Sequence, residues 1–538
     1  MSWVLRGWTP IIRRMRNNPD LYWTHGLHRS LQRQPHAVAT IFGDRERTFA
    51  EQAHRVARLA GGLRELGVSD GTRVGVLALN SDRYVEAVLA IPWADGVFNL
   101  IDSTRAPFEI APMLAESDTQ ILFVDDAFAP VLPELRQQWP RLRTVIHLGD
   151  GPAPEGTIGY EELIDGSDPA EDVRRGGDAI AGLLHTGGTT SLPKTVIHTH
   201  RALLSLVLAL GAMNPDFVRP GTRQLQTTPM SHVSGVGSTL TQSQFGNTLV
   251  PLPRFDPAAV LETIETHRIT AIFIVPPMLQ RVVDHPDADR RELGSVRNIM
   301  YGASPITEAV LGRARARFSR ASFAQIYGMT EALCFTMLTT DDHHPGPQLR
   351  SAGQTMINTE LRVVDARDHD LPVGVSGEIL LRGPGLMRGY WNDPEATAEV
   401  LCGGWMHTGD VGYLDENGCV YVVDRLKDVV IVNGDNVHST EVENALASHP
   451  DVAACAVIGV PDGDSGDAGE RVHAVVVPHP DADPEPEQLR KHCASLLAEF
   501  KIPQGWEFVS TLPTSPTGKV LKRELRARHW GGKDRGVN

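Results

Sequence analysis

The chain is poor in cysteine, has no long apolar run and carries no surplus of positive charge, and each lack removes a class of protein. Five cysteines, Cys334, Cys402, Cys419, Cys455 and Cys493, are scattered over 538 residues without a CxxC pair. An odd, dispersed set suits free thiols in a reducing compartment; it supplies neither a disulfide framework nor a thiolate zinc site. No stretch approaches the ~20 apolar residues that span a bilayer. The opening MSWVLRGWTPIIRRMRNN has no apolar core followed by a small-residue cleavage site, so a secretory signal is not expected there. Its mixture of Trp, Ile and Arg leaves an amphipathic helix, resting on a membrane surface or on the protein itself, as the alternative. A formal charge of −15 argues against a general nucleic-acid binder, which needs a Lys and Arg surplus. The expected compartment is the cytoplasm.

What is present reads as a multidomain globular enzyme. Hydrophobic residues make up 41% and charged residues 22%, which excludes a disordered or fibrous chain. A single core does not extend over 538 residues, so at least two domains are expected. TFAEQAHRVARLAGGLRELG opens with a capping box, Thr48 and Glu51, and places Ala53, Val56, Leu59, Leu63 and Leu66 at helical spacing before Gly67. The buried strand RVGVLAL follows, then a helix around Val85 to Ile91 and strands at ILFV (121–124) and VIHL (145–148). Farther on, PAAVLETIETH reads as helix, TAIFIV and RNIMYG as strands, TEAVLGRARARF as helix and SFAQIYG as strand. Such alternation predicts two mostly parallel sheets covered by helices. From GEILLRGPG to GCVYVVDR short β segments with Gly and Asp turns take over. Past Lys427 comes a smaller α+β unit, with strands at DVVIVN, VAACAVIGV and RVHAVVV and helices at TEVENALAS and PEQLRKHCASLLAEF. The fold class is therefore α/β: a large N-terminal domain of two α/β subdomains and a β-rich subdomain (1–426), and a small α+β C-terminal domain (427–538).

In open α/β sheets ligands gather at the carboxyl ends of strands, which directs attention to three loops: HTGGTTSLPK (185–194), YGASPI (301–306) and QIYGMTEA (325–332). The first is rich in hydroxyls and ends on Lys194. It fits the generic phosphate loop G-x-x-x-x-G-K-[ST] except that Pro193 stands where the second glycine belongs, and proline has no N–H to offer a phosphate. The third combines an aromatic ring (Tyr327), a permissive Gly328, a hydroxyl (Thr330) and a carboxylate (Glu331), a set suited to a base, a phosphate and a magnesium ion. Read singly, Tyr327 is equally a packed strand-end ring and Glu331 a helix-start acid. HTGDVGYLDENG places Asp410 in a Gly-flanked turn, VVDRLKDVVIVNGDN supplies Arg425 and Lys427, and PTSPTGKVLKRELR presents Lys519 before a basic helix.

Together, and in this order, these segments resemble the adenylate-forming superfamily: acyl-CoA synthetases, adenylation domains of nonribosomal peptide synthetases, and luciferases. Thr186 to Thr195 resembles T-S-G-T-T-G-x-P-K-G, YGASPI the adenine loop, QIYGMTEA the Y-G-x-T-E signature and HTGDVG the ribose turn. DRLKDVVIVNGDNVHSTEVE resembles the interdomain hinge and PTSPTGKVLKREL the catalytic-lysine tail. The resemblance covers the chain from the Thr48 helix to Leu525 and implies a carboxylate attacking the α-phosphate of ATP to give acyl-AMP, with transfer to a thiol. It implies that Thr186, Gly188, Thr189, Thr190 and Lys194 hold the pyrophosphoryl end, Thr330 the α-phosphate and Glu331 the Mg²⁺. Tyr327 would stack on the adenine beside Gly328, Gly302, Ala303 and Ser304, Asp410 would take the ribose hydroxyls, Arg425 would add a second ribose or phosphate contact, and Lys519 would bridge carboxylate and α-phosphate. Lys427 would be the pivot of a mobile C-terminal domain, and Gly434 would line the pantetheine passage. The sequence departs from the pattern at Gly187, which removes a hydroxyl, and at Ser191 and Thr195, which replace glycines and resist positive φ. In the hinge, His438 and Ser439 stand where tyrosine and proline are common, and the sequence offers no physical reason for it.

His232 matches a position that gates the carboxylate in many relatives; as a residue alone it is equally a helix-start histidine. Asp256 reads as a helix cap and so does not argue for an amino-acid substrate. Gly235 and Gly237 leave room for a bulky apolar group. The expectation is a fatty or other hydrophobic carboxylic acid, with an aryl acid second. CoA is the expected acceptor because no carrier segment with a modifiable serine follows. A ligase loading a separate acyl carrier protein would read almost the same, and a nucleotide binder without turnover is the alternative from a different class. No nucleic-acid partner is expected; a homodimer is left open.

Overall fold

The structure, a computed structural model, describes residues 20–186, 193–432, 435–461, 470–480, 482–514 and 520–530. The N-terminal amphipathic stretch therefore lies outside the described residues, as do Gly187, Gly188, Thr189, Thr190 and Ser191 of the Thr-rich loop, Gly434, and Lys519.

Two large sheets are built the same way. In the first, parallel strands run in the order Ile158–Gly159, Thr144–His147, Ile121–Val124, Arg73–Leu77, Val97–Leu100, Ile180–His185; Thr195–Thr199 and Gly389–Tyr390 then add antiparallel. In the second, Val38–Phe42, Thr248–Pro251, Arg223–Gln226, Ala271–Ile274, Asn298–Gly302 and Ser322–Met329 are parallel, and Leu333–Leu338 returns antiparallel. Each parallel run thus ends in a hairpin, formed by Ile180–Thr199 in one sheet and Ser322–Leu338 in the other.

A shared helix layer joins the sheets. The helix Phe49–Glu65 is held at its start by the capping box foreseen from Thr48 and Glu51, and every residue of Asp82–Trp93 is buried. One hydrophobic cluster takes residues from these helices, from His200–Met213 and from both sheets, including Phe98, Leu184, Met300 and Ile326. Because the helices pack on both sheets, the two hairpins keep a fixed relation to each other.

A five-stranded sheet follows, with Gly377–Arg382 beside Trp405–Leu414 and Val420–Arg425 on its other edge. The C-terminal unit holds a three-stranded sheet, Val452–Pro461, Glu470–Pro478 and Gly505–Phe508, and the helices Ser439–Ala447, Pro486–Ala494 and Lys522–Trp530. Two expectations are corrected. The helix expected to continue to Phe500 stops at Ala494, where Leu496 and Leu497 fold back onto the Cys493 carbonyl. Asp410 lies inside the strand Trp405–Leu414, not in a turn; Gly409, at φ 68°, gives only a local irregularity before the strand continues. No helix among the described residues is long and apolar enough to cross a membrane.

Candidate active site

The first hairpin carries the Thr-rich loop at its tip. Thr186 and Lys194 close it reciprocally: the Thr186 N–H donates to the Lys194 carbonyl at 3.0 Å, and the Lys194 N–H donates to the Thr186 Oγ1 at 3.1 Å. Pro193, without an N–H, sits beside this pair and costs it nothing. Thr195, one of the residues expected to resist positive φ, begins an extended strand, where a β-branched residue is at home. Its hydroxyl meets His185 Nδ1 and Glu116 Oε2, both at 3.2 Å.

The second hairpin turns through Thr330, Glu331 and Ala332. It is tight because Gly328 faces the return strand: a Cβ there would stand 2.0 Å from the Leu333 carbonyl oxygen. Gly302, on the neighbouring strand, is constrained likewise, 2.3 Å from the Ile326 oxygen. Ala303 follows with φ 69°, strained for a residue bearing a Cβ, and the Ser304 hydroxyl is buried without a hydrogen-bond partner. That pairing of strain and an unsatisfied hydroxyl, just past the strand pair Gly302 and Ile326, marks a position suited to a ligand's polar edge.

The two hairpins are tied together at their tips. His198 of the first donates from Nε2 to the Thr330 carbonyl at 2.8 Å. Burial pushes the His198 pKa down to about 4, which keeps the ring neutral. Tyr390, paired to the first hairpin opposite Val196, donates its hydroxyl to Glu331 Oε1 at 2.9 Å, and the Lys194 ammonium sits 4.5 Å from the centre of the same ring. The Met387 N–H holds the Glu331 carbonyl at 2.7 Å. Lys194, Tyr390 and Glu331 thus form a continuous chain of contacts between the loops. Burial and the Glu331 carboxylate raise the Tyr390 pKa, so Tyr390 stays a donor.

On the far side of the same hairpin, the Tyr327 hydroxyl donates to Asp410 Oδ2, and Arg425 Nε reaches Asp410 Oδ1 at 3.1 Å. Asp410 is 4% exposed and lies directly opposite Arg425 in strand register. A carboxylate has about four acceptor sites, so these two donors orient Asp410 and leave acceptor capacity for hydroxyls. The Tyr327 ring packs edge-on against Phe335, 4.5 Å between centres.

Beyond Arg425 the chain passes through Leu426–Asp428 into the C-terminal unit. Lys427 is exposed at this crossing, and Arg526 of the last helix holds the Lys427 carbonyl at 3.2 Å and Asp428 Oδ1 at 2.7 Å. Here the structure explains Ser439. Its N–H and hydroxyl both donate to the buried Asp424 carboxylate, at 2.5 to 3.0 Å, and Lys522 Nζ donates to the same hydroxyl at 2.6 Å while pairing with Glu443 at 2.7 Å. Proline could make none of these bonds.

His232 immediately precedes the helix Val233–Phe245 and makes no side-chain cap. Its Nε2 is buried without a hydrogen-bond partner, 4.0 Å from Asp102 Oδ2, and burial lowers its pKa, giving a neutral ring. Of the two nearby glycines, Gly237 has open space where a Cβ would point, as expected. Gly235 does not: its Cβ would lie 2.2 Å from the Met230 backbone, so it serves close packing.

Sequence reasoning missed Tyr390, His198 and the Asp424–Ser439–Lys522 group. An available signal for Tyr390 was an aromatic pair after glycine, GYW, in a chain with only 8 tyrosines. Nothing local marks His198, whose role depends on the opposing sheet.

Residues 27–391 match the AMP-binding enzyme family and residues 441–519 the AMP-binding enzyme C-terminal domain. A fatty acid–acyl-carrier-protein ligase, ScoC, from Streptomyces coeruleorubidus is 35% identical over 515 residues, 94% of this chain and 96% of that protein. A feruloyl-CoA synthase from Amycolatopsis sp is 36% identical over 501 residues, 93% and 97% of the two chains. Among solved structures, the amide bond synthetase McbA from Marinactinospora thermotolerans superposes with a TM-score of 0.83 at 34% identity, covering 94% of this chain and 99% of that one.

Proposed function

This chain belongs to the AMP-binding enzyme family of adenylate-forming ligases, and from that membership we propose that it converts a hydrophobic carboxylic acid, foremost a fatty acid, to its acyl-AMP and then to an acyl-CoA. The observation that carries this reading is that one hairpin, Ser322–Leu338, joins two groups of contacts: Glu331 at its tip, linked through Tyr390 to Lys194 of the other hairpin, and Tyr327 on its strand, linked to Asp410 and through it to Arg425. One end offers cation and hydroxyls, as a polyphosphate requires; the other offers an aromatic ring and an oriented carboxylate, as a nucleoside requires.

In this proposal Thr186, Gly188, Thr189, Thr190 and Lys194 bind the terminal phosphates, Thr330 the α-phosphate, and Gly302, Ala303, Ser304, Tyr327 and Gly328 surround the base. Asp410 and Arg425 hold the ribose, and His232 faces the acyl carboxylate. Glu331 supplies a hard oxygen ligand for magnesium, whose charge would offset the phosphates when bound. Lys519 carries positive charge to the α-phosphate during acid attack and leaves when residues 427–538 turn about Lys427, so that the thiol can approach past Gly434.

The test is to incubate the protein with MgATP, CoA and a panel of fatty, aryl and amino acids, following AMP and thioester by mass spectrometry. AMP with thioester from the fatty acids is the expected result. Adenylate without thioester, even with excess CoA, would redirect the acceptor to a carrier protein, the substrate class in the name of the ScoC relative. Lys519→Ala should lower adenylation by several orders of magnitude with an unchanged melting temperature; normal acyl-AMP formation in that variant would remove Lys519 from the mechanism.

A further inference from the structure

Outside the nucleotide site, three potential metal ligands meet in the C-terminal unit: His473, Glu507 and His529, with one ligand atom from each within 4.8 Å of the others. His473 is 6% exposed, and neither of its ring nitrogens has a hydrogen-bond partner. A neutral imidazole carries one donor and one acceptor that water would have satisfied, so burying both nitrogens unpaired is costly unless a ligand compensates.

The surroundings are shaped for that ring. His473 stands directly opposite Gly505 across the parallel strand pair, and a Cβ on Gly505 would fall 2.3 Å from His473 Nδ1. Only glycine leaves the ring its place. Glu507 lies two residues along the same strand, hence on the same face. His529 comes from the last helix, whose end is fixed by the Trp530 indole N–H donating to the Gly459 carbonyl at 3.1 Å. The two imidazole rings are 4.6 Å apart.

We propose that His473, Glu507 and His529 bind one zinc-type divalent cation that ties the C-terminal helix to its sheet. A tetrahedral ion with bonds of about 2.0–2.1 Å sets its ligand atoms roughly 3.4 Å apart. His529 Nε2 and Glu507 Oε2 already stand 3.7 Å apart, and the ligand atoms of all three residues lie within 4.8 Å of one another. Arg528 occupies the other Glu507 oxygen at 3.0 Å and thereby orients the carboxylate, as outer hydrogen bonds do around metal ligands. Two imidazoles and one carboxylate select a borderline d-block ion over Mg²⁺ or Ca²⁺, which require mostly oxygen. The fourth position belongs to water. The site uses no cysteine and does not depend on the nucleotide-site reading.

The test uses the full chain without an affinity tag, stripped with EDTA, dialysed and titrated with Zn²⁺ against a chromophoric chelator, with Co²⁺ absorption as a second readout. One equivalent of zinc should bind and raise the melting temperature by mass action. His529→Ala, on an exposed helix end, and Glu507→Gln should each weaken that binding at least about tenfold and abolish the thermal shift. Failure of the wild-type chain to retain zinc would overturn the proposal, leaving a bridging water as the partner of His473. Equal zinc binding by wild type and both variants would also overturn it, by placing the ion elsewhere.

Discussion

At Glu331 a single hydroxyl decides where a carboxylate points. Tyr390 donates to Oε1, while its ring receives the Lys194 ammonium, so one side chain positions two charged groups of opposite sign. Tyr390→Phe keeps the ring and removes the donor. A hydrogen bond to a charged group contributes about 1.5–3 kcal/mol, so kcat/KM for adenylation should fall roughly 10- to 100-fold at saturating Mg²⁺, with little change in melting temperature. Steady-state pyrophosphate release checks this, and an unchanged kcat/KM would mean that Glu331 is oriented by other contacts. Glu331 was legible in the sequence because a Thr and a Glu after Tyr-Gly are adjacent in the chain. Tyr390 was not, because it lies 59 residues away and reaches Glu331 only through strand pairing with the first hairpin.

Among elements, the crossing between the large unit and the C-terminal unit is held by polar groups. Asp424 ends the large unit, Ser439 opens the first helix beyond the crossing, and Lys522 opens the last helix, which directly follows the segment containing Lys519. Ser439→Pro deletes both donors to a buried carboxylate, whereas Ser439→Ala deletes only the hydroxyl. Thermal unfolding should therefore rank wild type above Ser439→Ala and Ser439→Pro lowest, with about 1–3 kcal/mol lost for the first change and more for the second. A proline variant as stable as wild type would show that this group contributes nothing. The helices, strands and capping box of this protein were readable because their causes are local: spacing of apolar residues, a Thr three before a Glu, a glycine at a stop. Asp410 was misread as a turn residue because flanking glycines mimic one; cross-strand bonds to the neighbouring strand, not local preference, keep it extended.

For the whole molecule, the first sheet's terminal hairpin and the helix that follows it bury histidines in neutral form. His185 lies between Asn99 Oδ1 and Thr195 Oγ1, with Asp102 and Arg105 as the charges it senses, and burial pushes its pKa down to about 3. His200 accepts the Trp23 N–H at 3.0 Å, with Asp172, Arg175 and Asp95 nearby, and His198 holds the Thr330 carbonyl; burial brings both to about 4. Their folded-state pKa values lie below the unfolded value near 6.5, so below that pH the unfolded chain binds more protons. Stability is full above about pH 6.5 and is lost as pH falls toward 4, each group contributing about 1.4 kcal/mol per pH unit across that window. Urea midpoints measured between pH 7.5 and 4.5 should decline steeply below 6.5, and a flat profile would contradict the neutral buried state of these rings.

The sequence by itself determined the α/β class, the order of its elements and the adenylate-forming motifs, because apolar periodicity and short motifs are properties of neighbouring residues. Tertiary structure alone decided that Tyr390 and His198 join two hairpins into one site, that Ser439 rather than proline suits the domain crossing, that Gly235 packs while Gly237 leaves space, and that His473 meets His529. Each of these depends on residues distant in the chain that come together only when two sheets share one helix layer, or when the last helix closes onto its sheet.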